Sequence, residues 1–203
     1  MNVFTKLFAT FLLSAALFSC ATDNGSYVIG VSQCSVDAWR EVANNEIMQE
    51  ASFYGNLSVE IRSVHDDSEQ QIKDIENFID EKVDLLVISP NESTTLTPVV
   101  EKAYKSGIPV ILYDRKVDSD QYSAFVGGDN RQIGYIAGSY AISILKGAGR
   151  ICLIRGTKGS TADTERYEGF MAALGDHPDF SGGVTVEEFA YFNRQDAEKA
   201  MNK

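Results

Sequence analysis

An acidic and a basic residue, Asp114 and Arg115, stand directly after the apolar run at residues 108–113. That run is short and shows no polar alternation, which is typical of a strand buried in a parallel sheet. In open α/β sheets, ligands bind outside the carboxyl ends of the strands. A carboxylate accepts hydrogen bonds there and a guanidinium donates them. The pair therefore indicates a site for a polar ligand, with an ordinary surface ion pair as the alternative.

Polar and aromatic residues follow the other predicted strands in the same way. Because the carboxyl ends of parallel strands share one edge, we expect these residues to lie close together. They are Gln33, Asp37, Trp39 and Arg40 after the first strand, Ser89 and Asn91 after the third, Asp129 after the fifth, and Arg166 in a second unit. Such a set suits a small polyol, since hydroxyls both donate and accept hydrogen bonds and an indole can pack on a ring.

Each of these residues also has a plainer interpretation. Trp39 lies in the first turn of a predicted helix and could be a partly buried core anchor. Arg166 stands near two glutamates and could be a solvated charge, and Asp129 could cap the helix that follows it.

The sequence gives little support for catalysis. The glycine-containing stretch at residues 156–161 lacks the spacing of a phosphate-binding loop, and no G-x-S-x-G nucleophile motif is present. His65 and His177 are isolated, and Cys34 and Cys152 are expected to be unpaired, partly buried thiols. We therefore expect a binding module rather than an enzyme, with no catalytic residue, cofactor or metal ion. A pair of carboxylates for sugar hydrolysis stays open, because their separation is a three-dimensional quantity.

Strand and helix patterns alternate along the chain, which predicts a mostly parallel sheet flanked by helices. The first unit, residues 26–127, contains predicted strands at residues 27–33, 57–63, 83–89, 108–113 and 124–127. Thr97 is the expected N-cap of its third helix, with Pro98 at the first helical position.

A second unit, residues 128–203, opens with a predicted helix at residues 131–145. Its apolar residues recur at helical spacing: Ile133, Ile136, Ala137, Tyr140 and Ile144. Only two clear strands follow, too few for a sheet that buries both faces. We therefore expect a truncated second lobe, short of core, in a fragment of a longer protein.

Residues 1–25 differ from the rest of the chain. An apolar stretch preceded by Lys6 is too short for a comfortable transmembrane helix and is typical of a signal peptide. The residues before Cys20 resemble a lipoprotein cleavage box, which would make Cys20 the lipidated residue; simple export with cleavage nearby is the alternative. The net charge of −11 argues against nucleic-acid binding.

Taken together, the motifs resemble the type I periplasmic sugar-binding proteins over residues 27–203. The matching stretches are residues 29–40, 108–115, 127–130 and 164–170. The resemblance implies a two-lobed α/β fold of the periplasmic-binding-protein type I, in which parallel sheets are flanked by helices. It also implies that Asp114 and Arg115 hold sugar hydroxyls, that Trp39 packs on the ring and that Arg166 reaches it from the second lobe.

Ser32 and Ser89 match binding positions of the ribose binder, whereas Val36 replaces an asparagine that forms hydrogen bonds. The sequence around Gln33, near the start of the first unit, is more similar to galactofuranose binders. It is most similar to the periplasmic sensor domains of hybrid two-component regulators.

The resemblance implies a periplasmic, membrane-anchored module for a small sugar such as fructose, a pentose or a furanose. As a sensor it would couple to a histidine kinase through a downstream transmembrane segment, with a homodimer as one arrangement. The alternative is a lipid-anchored substrate-binding protein of an ABC sugar importer.

Overall fold

A computed structural model describes residues 25–203, and the predicted signal segment with Cys20 lies outside the described residues. The first lobe contains β1 (Tyr27–Gln33), α1 (Ala38–Ala51), β2 (Leu57–Ser63), α2 (Ser68–Glu81), β3 (Leu85–Ser89), α3 (Ser93–Lys105), β4 (Val110–Tyr113) and β5 (Ala124–Val126). The second lobe contains α4 (Asn130–Leu145), β6 (Ala148–Arg155), α5 (Thr161–Gly175), β7 (Ser181–Phe189) and α6 (Arg194–Met201).

The first lobe is a five-stranded parallel sheet in the order β2-β1-β3-β4-β5. Its core forms between the central strands and helices α2 and α3, because these elements supply the large buried apolar side chains. They include Phe78, Leu86, Ile88, Leu96 and Leu112. The parallel arrangement puts the carboxyl ends of β1, β3 and β4 at one edge, facing the second lobe.

Helix α3 begins at Ser93, five residues before the predicted first helical position, so Pro98 lies inside the helix and Thr97 is not its N-cap. Contacts distant in sequence explain the earlier start. The Ser93 N–H donates to the Gly159 carbonyl (3.0 Å), and the Ser93 hydroxyl donates to Asp118 (2.5 Å). These bonds satisfy groups that would otherwise be unpaired at a helix end.

The second lobe has one two-stranded parallel sheet, β6-β7, with α4 and α5 packed on each other. The helix predicted at residues 131–145 is confirmed as α4, but its residues Ile133, Ile136, Tyr140 and Ile144 are all exposed. The face that packs on α5 is instead made of Gly134 and Gly138, which allow the two helices to approach closely.

The two cysteines differ from each other in their surroundings. Cys34 is fully buried at the end of the first strand, whereas Cys152 is exposed on β6, and both thiols are free. Both thiols are therefore unpaired, as expected, but neither is partly buried. Among residues 25–203, no helix is long and apolar enough to cross a membrane.

Candidate functional site

A cavity of about 290 Å³ lies between the two lobes at the carboxyl edge of the first sheet. It brings together side chains from three strand ends and two helices of opposite lobes. Its lining consists of Asp37, Trp39, Arg40, Asp114, Arg115, Ala162, Arg166 and Phe192. Carboxylates, guanidiniums and aromatic rings therefore meet around one space, as the strand-end argument predicts.

Asp114 occupies a special backbone position. Its φ angle is +62°, in the left-handed region, which aspartate tolerates better than bulkier residues do. The Asp114 N–H donates to the Val126 carbonyl (2.8 Å), which fixes the turn after β4. Uncommon backbone angles of this kind cluster at ligand sites.

The Asp114 carboxylate pairs with a buried guanidinium. Arg40 donates to Asp114 Oδ2 at 2.5 Å, and only 4% of the Arg40 side chain is exposed. Burial works to lower the pKa of Arg40, but Cys34, Tyr113 and Asp114 beside it outweigh burial and raise that pKa. Arg40 is therefore a permanent positive charge on the cavity wall.

Trp39 and Tyr113 form an aromatic surface beside this pair. Their rings stack with centroids 6.4 Å apart, and the Arg40 guanidinium lies 4.7 Å from the indole and 5.4 Å from the phenol ring centre. Trp39 is 57% exposed, so it is not a core anchor. Burial raises the pKa of Tyr113, whose hydroxyl donates to Gln33.

The second lobe contributes Arg166 and Phe192. The Arg166 Nε–H donates to Asn130 at 2.9 Å, which fixes the side chain against the start of α4. The Phe192 ring lies 5.3 Å from the guanidinium of Arg115 and 5.8 Å from that of Arg166, within the range of cation–π attraction. Arg166 is thus held at the cavity rather than left as a solvated charge.

Arg115 is buried and incompletely satisfied. Its NH1 group donates to the Asn91 carbonyl at 3.1 Å, but its Nε–H has no hydrogen-bond partner in the protein. Buried polar groups are almost always paired, and this enclosed Nε lies 3.8 Å from Asp114 Oδ2, within ion-pair distance but too far for a hydrogen bond.

The remaining predicted residues lie away from the cavity lining. Ser32 and Ser89 are buried and bind the side chain of Gln71, whose amide nitrogen donates to the Ser32 hydroxyl (3.2 Å) and the Ser89 carbonyl (2.9 Å). The Gln71 oxygen accepts from the Asn91 backbone N–H (2.9 Å). Gln71 therefore ties the ends of β1 and β3 together.

Gln33 and Asp129 also lie outside the cavity lining and form hydrogen bonds to other protein groups. The Gln33 side-chain oxygen accepts from the Arg40 guanidinium at 3.5 Å, and the Gln33 amide nitrogen donates to Asn44. Gln33 therefore helps to hold Arg40 in its position on the cavity wall. Asp129 is exposed and caps α4 by accepting from the Gln132 N–H (2.9 Å). It lines a second, more open cavity with Lys116 and Glu165.

Phe192 is the lining side chain that the sequence analysis missed. It lies shortly after the end of β7 at Phe189, so it fits the strand-end argument. That argument was not applied to the last strand, and Phe192 was therefore not named.

Comparison with known proteins agrees with this arrangement. The family described as "periplasmic binding protein domain" matches residues 29–203. The fructose-binding periplasmic domain of a hybrid two-component system is 49% identical in sequence, with a TM-score of 0.82, over 87% of this chain and 58% of its own. The galactofuranose-binding protein YtfQ of Escherichia coli is 29% identical over 97% of this chain and 62% of its own length.

A solute-binding protein from Bacillus halodurans with bound myo-inositol gives a TM-score of 0.82 at 29% identity, over 89% of this chain and 63% of its own. The chain spans less than two thirds of the length of each of these relatives. This partial coverage is consistent with an incomplete second lobe.

Proposed function

The chain belongs to the periplasmic binding protein domain family, and from this premise we propose that it binds a small sugar between its lobes. The observation that carries the proposal is the cavity lined by Asp114, Arg115 and Trp39 from one lobe and by Arg166 and Phe192 from the other. Sugar hydroxyls both donate and accept, so they match a wall of carboxylates and guanidiniums. The two aromatic side chains offer apolar faces to a ring. The names of three relatives record binding of fructose, galactofuranose and myo-inositol. These ligands support a small sugar as the class of ligand.

We propose that Asp114 and Arg115 form the main hydrogen bonds to the sugar. The Asp114 carboxylate accepts from a sugar hydroxyl while Arg40 holds it in place, and the Arg115 guanidinium, which lines the cavity, donates to a sugar oxygen. Arg166 completes the contact from the second lobe. Four further residues stabilise the site indirectly, because their hydrogen bonds hold the ends of the strands in place. They are Ser32, Gln33, Ser89 and Asn91.

We also propose that the lobes divide between residues 127 and 128, where the chain leaves β5 for α4. Closure of two lobes around a ligand is a common switching motion in proteins. Binding shifts such an equilibrium only to the extent that the closed state has the higher affinity.

A sugar panel tests the proposal. D-fructose, D-ribose, D-xylose and myo-inositol are added in turn to the full-length protein, and the unfolding temperature is measured, because a ligand that binds only the folded state raises it. Trp39 is the single tryptophan, so its fluorescence should shift to shorter wavelength when a ring covers it. A sugar that raises the unfolding temperature but leaves Trp39 emission unchanged would remove Trp39 from the site.

The sensor role is the proposal for the whole protein. Similarity at 49% identity to a domain of a hybrid two-component system favours coupling to a histidine kinase, with a homodimer as one arrangement. The alternative, delivery to an ABC importer, is favoured by similarity to a ribose import binding protein of Bacillus subtilis, 27% identical over 71% of this chain and 47% of its own length. The gene sequence after the codon for Lys203 separates the two: a transmembrane segment and kinase support the first, and a stop after the remaining lobe supports the second.

The family supports a periplasmic location, and we propose anchoring at the membrane. A lipid on Cys20 or a downstream transmembrane segment would supply the anchor. Cys20 lies outside the described residues. In a Cys20→Ser variant, a lipid anchor predicts release of the protein into the soluble fraction, and retention in the membrane fraction would point to the downstream segment.

A further inference from the structure

Lys116 links the two lobes outside the sugar cavity. It follows Arg115 in the loop after β4, and its backbone N–H donates to the Thr161 hydroxyl at 2.8 Å. Its ammonium group pairs with Glu165 at 3.3 Å. Both partners belong to the first two turns of α5, in the second lobe.

The neighbours of these residues along the chain line the cavity. Arg115 precedes Lys116, Ala162 follows Thr161, and Arg166 follows Glu165. Fixing Lys116 against Thr161 and Glu165 therefore fixes the start of α5, and with it Arg166, relative to the Asp114 loop.

We propose that Lys116 is a positioning residue, which docks the first turns of α5 on the loop after β4 and so places Arg166 opposite Asp114 and Arg115. The proposal rests on the sugar site proposed above for its effect on affinity, but the docking itself does not depend on any ligand.

The surroundings of Lys116 suit this role. Its ammonium lies 4.8 Å from the centre of the Phe125 ring, so β5 limits the positions that the side chain can take. About a third of the Lys116 side chain and a quarter of the Glu165 side chain are exposed. The ion pair is thus partly shielded from water and less screened by salt than a fully exposed pair.

The expected effect is modest. Ion pairs of this exposure change equilibria by about two- to fivefold. The Thr161 bond and the bond from Ser93 to Gly159 (3.0 Å) also join the lobes and remain when the ammonium is removed.

The experiment compares Lys116→Met with Lys102→Met in the full-length protein. Methionine keeps most of the apolar stem and removes the charge. Lys102 is the matched control, because it forms a similar ion pair with Glu76 (2.7 Å) but lies wholly within the first lobe. Two quantities are measured: amide hydrogen exchange over residues 161–166 without sugar, and the dissociation constant for D-fructose by calorimetry.

Lys116→Met should speed exchange over residues 161–166 and raise the fructose dissociation constant about two- to fivefold, and Lys102→Met should change neither. Glu165→Gln should have the same effect, and adding it to Lys116→Met should cost nothing further, because the pair is already broken. The double charge reversal Lys116→Glu with Glu165→Lys should recover most of the affinity.

Unchanged exchange in Lys116→Met would overturn the docking. Faster exchange with unchanged fructose affinity would overturn the positioning role. If the wild-type protein binds no fructose, the dissociation constant is measured with the panel compound that most raises the unfolding temperature, and the exchange measurement decides by itself whether Lys116 docks α5.

Discussion

Asp114 is the residue on which the proposed site depends most. Its carboxylate pairs with the buried Arg40 and reaches the cavity. Asp114→Ala should weaken sugar binding by at least about thirtyfold, because truncating one partner of a buried, hydrogen-bonded charge pair costs about 2–5 kcal/mol. Calorimetry with the sugar that binds most tightly measures the change.

Asp114→Asn is the matched control for this prediction. It keeps the shape and one acceptor oxygen, so it should bind more weakly than the wild type but more tightly than Asp114→Ala. The circular dichroism spectrum should show that both variants fold. Wild-type affinity in a folded Asp114→Ala protein would exclude this carboxylate from the site.

A second prediction concerns the start of α1, where Asp37 is the N-cap. Its carboxylate accepts from the Arg40 N–H (2.9 Å) and the Ser35 hydroxyl (2.8 Å). Burial works to raise the pKa of Asp37, but these bonds and the Arg40 charge outweigh burial and lower that pKa. A carboxyl whose pKa is lower in the folded state stabilises the fold above its ordinary pKa, and this stabilisation is lost as the pH falls through the folded-state value.

Asp37→Asn isolates the effect of the charge, because asparagine caps helices about as well as aspartate does. The variant should be less stable than the wild type at pH 6 by about 0.3–1 kcal/mol, the usual size of a charge effect at a helix end. The difference should shrink as the pH falls below the ordinary aspartate value and should vanish only below the lower folded-state pKa, so the second measurement is made at about pH 2. Urea unfolding followed by Trp39 fluorescence measures both values, and a difference that is the same at both pH values would contradict the assignment.

Packing between α4 and α5 gives a third prediction. A Cβ atom added at Gly134 would lie 2.0 Å from the carbonyl oxygen of Arg166, so the helices would have to separate. Gly134→Ala should lower the free energy of unfolding of the second lobe by about 1–3 kcal/mol, the usual cost of overpacking. Sugar affinity should fall as well, since Arg166 moves with α5.

Gly175→Ala serves as the control at the end of α5, the partner helix, where an added Cβ meets no atom within 4 Å. It should be neutral or stabilising by up to about 1 kcal/mol. Urea unfolding followed by hydrogen exchange in α5 compares the two variants. Equal stability of the two would show that α4 and α5 are not held at this distance.

At the scale of helices and strands, hydrophobic spacing predicted the elements but not all of the contacts between them. The alternation of strands and helices gave the parallel sheet of the first lobe, and this gave the edge at which Asp114, Arg115 and Trp39 meet. The start of α3 was missed because Ser93 bonds to Gly159 of the other lobe, a contact that local sequence does not reveal. The packing face of α4 was missed because glycines, which carry no hydrophobic signal, make the contact.

At the scale of the whole molecule, the two lobes differ in their cores. The first lobe buries large side chains such as Phe78, Ile88 and Leu112 between its sheet and two helices. The fully covered apolar residues of the second lobe are mostly alanines, with Ile151 and Phe170 as the large exceptions. On α4, Ile136, Tyr140 and Ile144 are each more than half exposed. Apolar burial dominates folding stability, so the second lobe should be the weaker one.

The 203-residue chain, expressed alone, should therefore unfold in two steps. Amides in α5 and β6 should lose protection from hydrogen exchange at lower urea than those in α2 and β3, because the lobes then open as separate units. A bound sugar contacts both lobes, so it should bring the two transitions closer together by mass action. A single transition, with α5 and α2 losing protection at the same urea concentration without ligand, would show that contacts between the lobes such as Lys116 with Glu165 are enough to unite them.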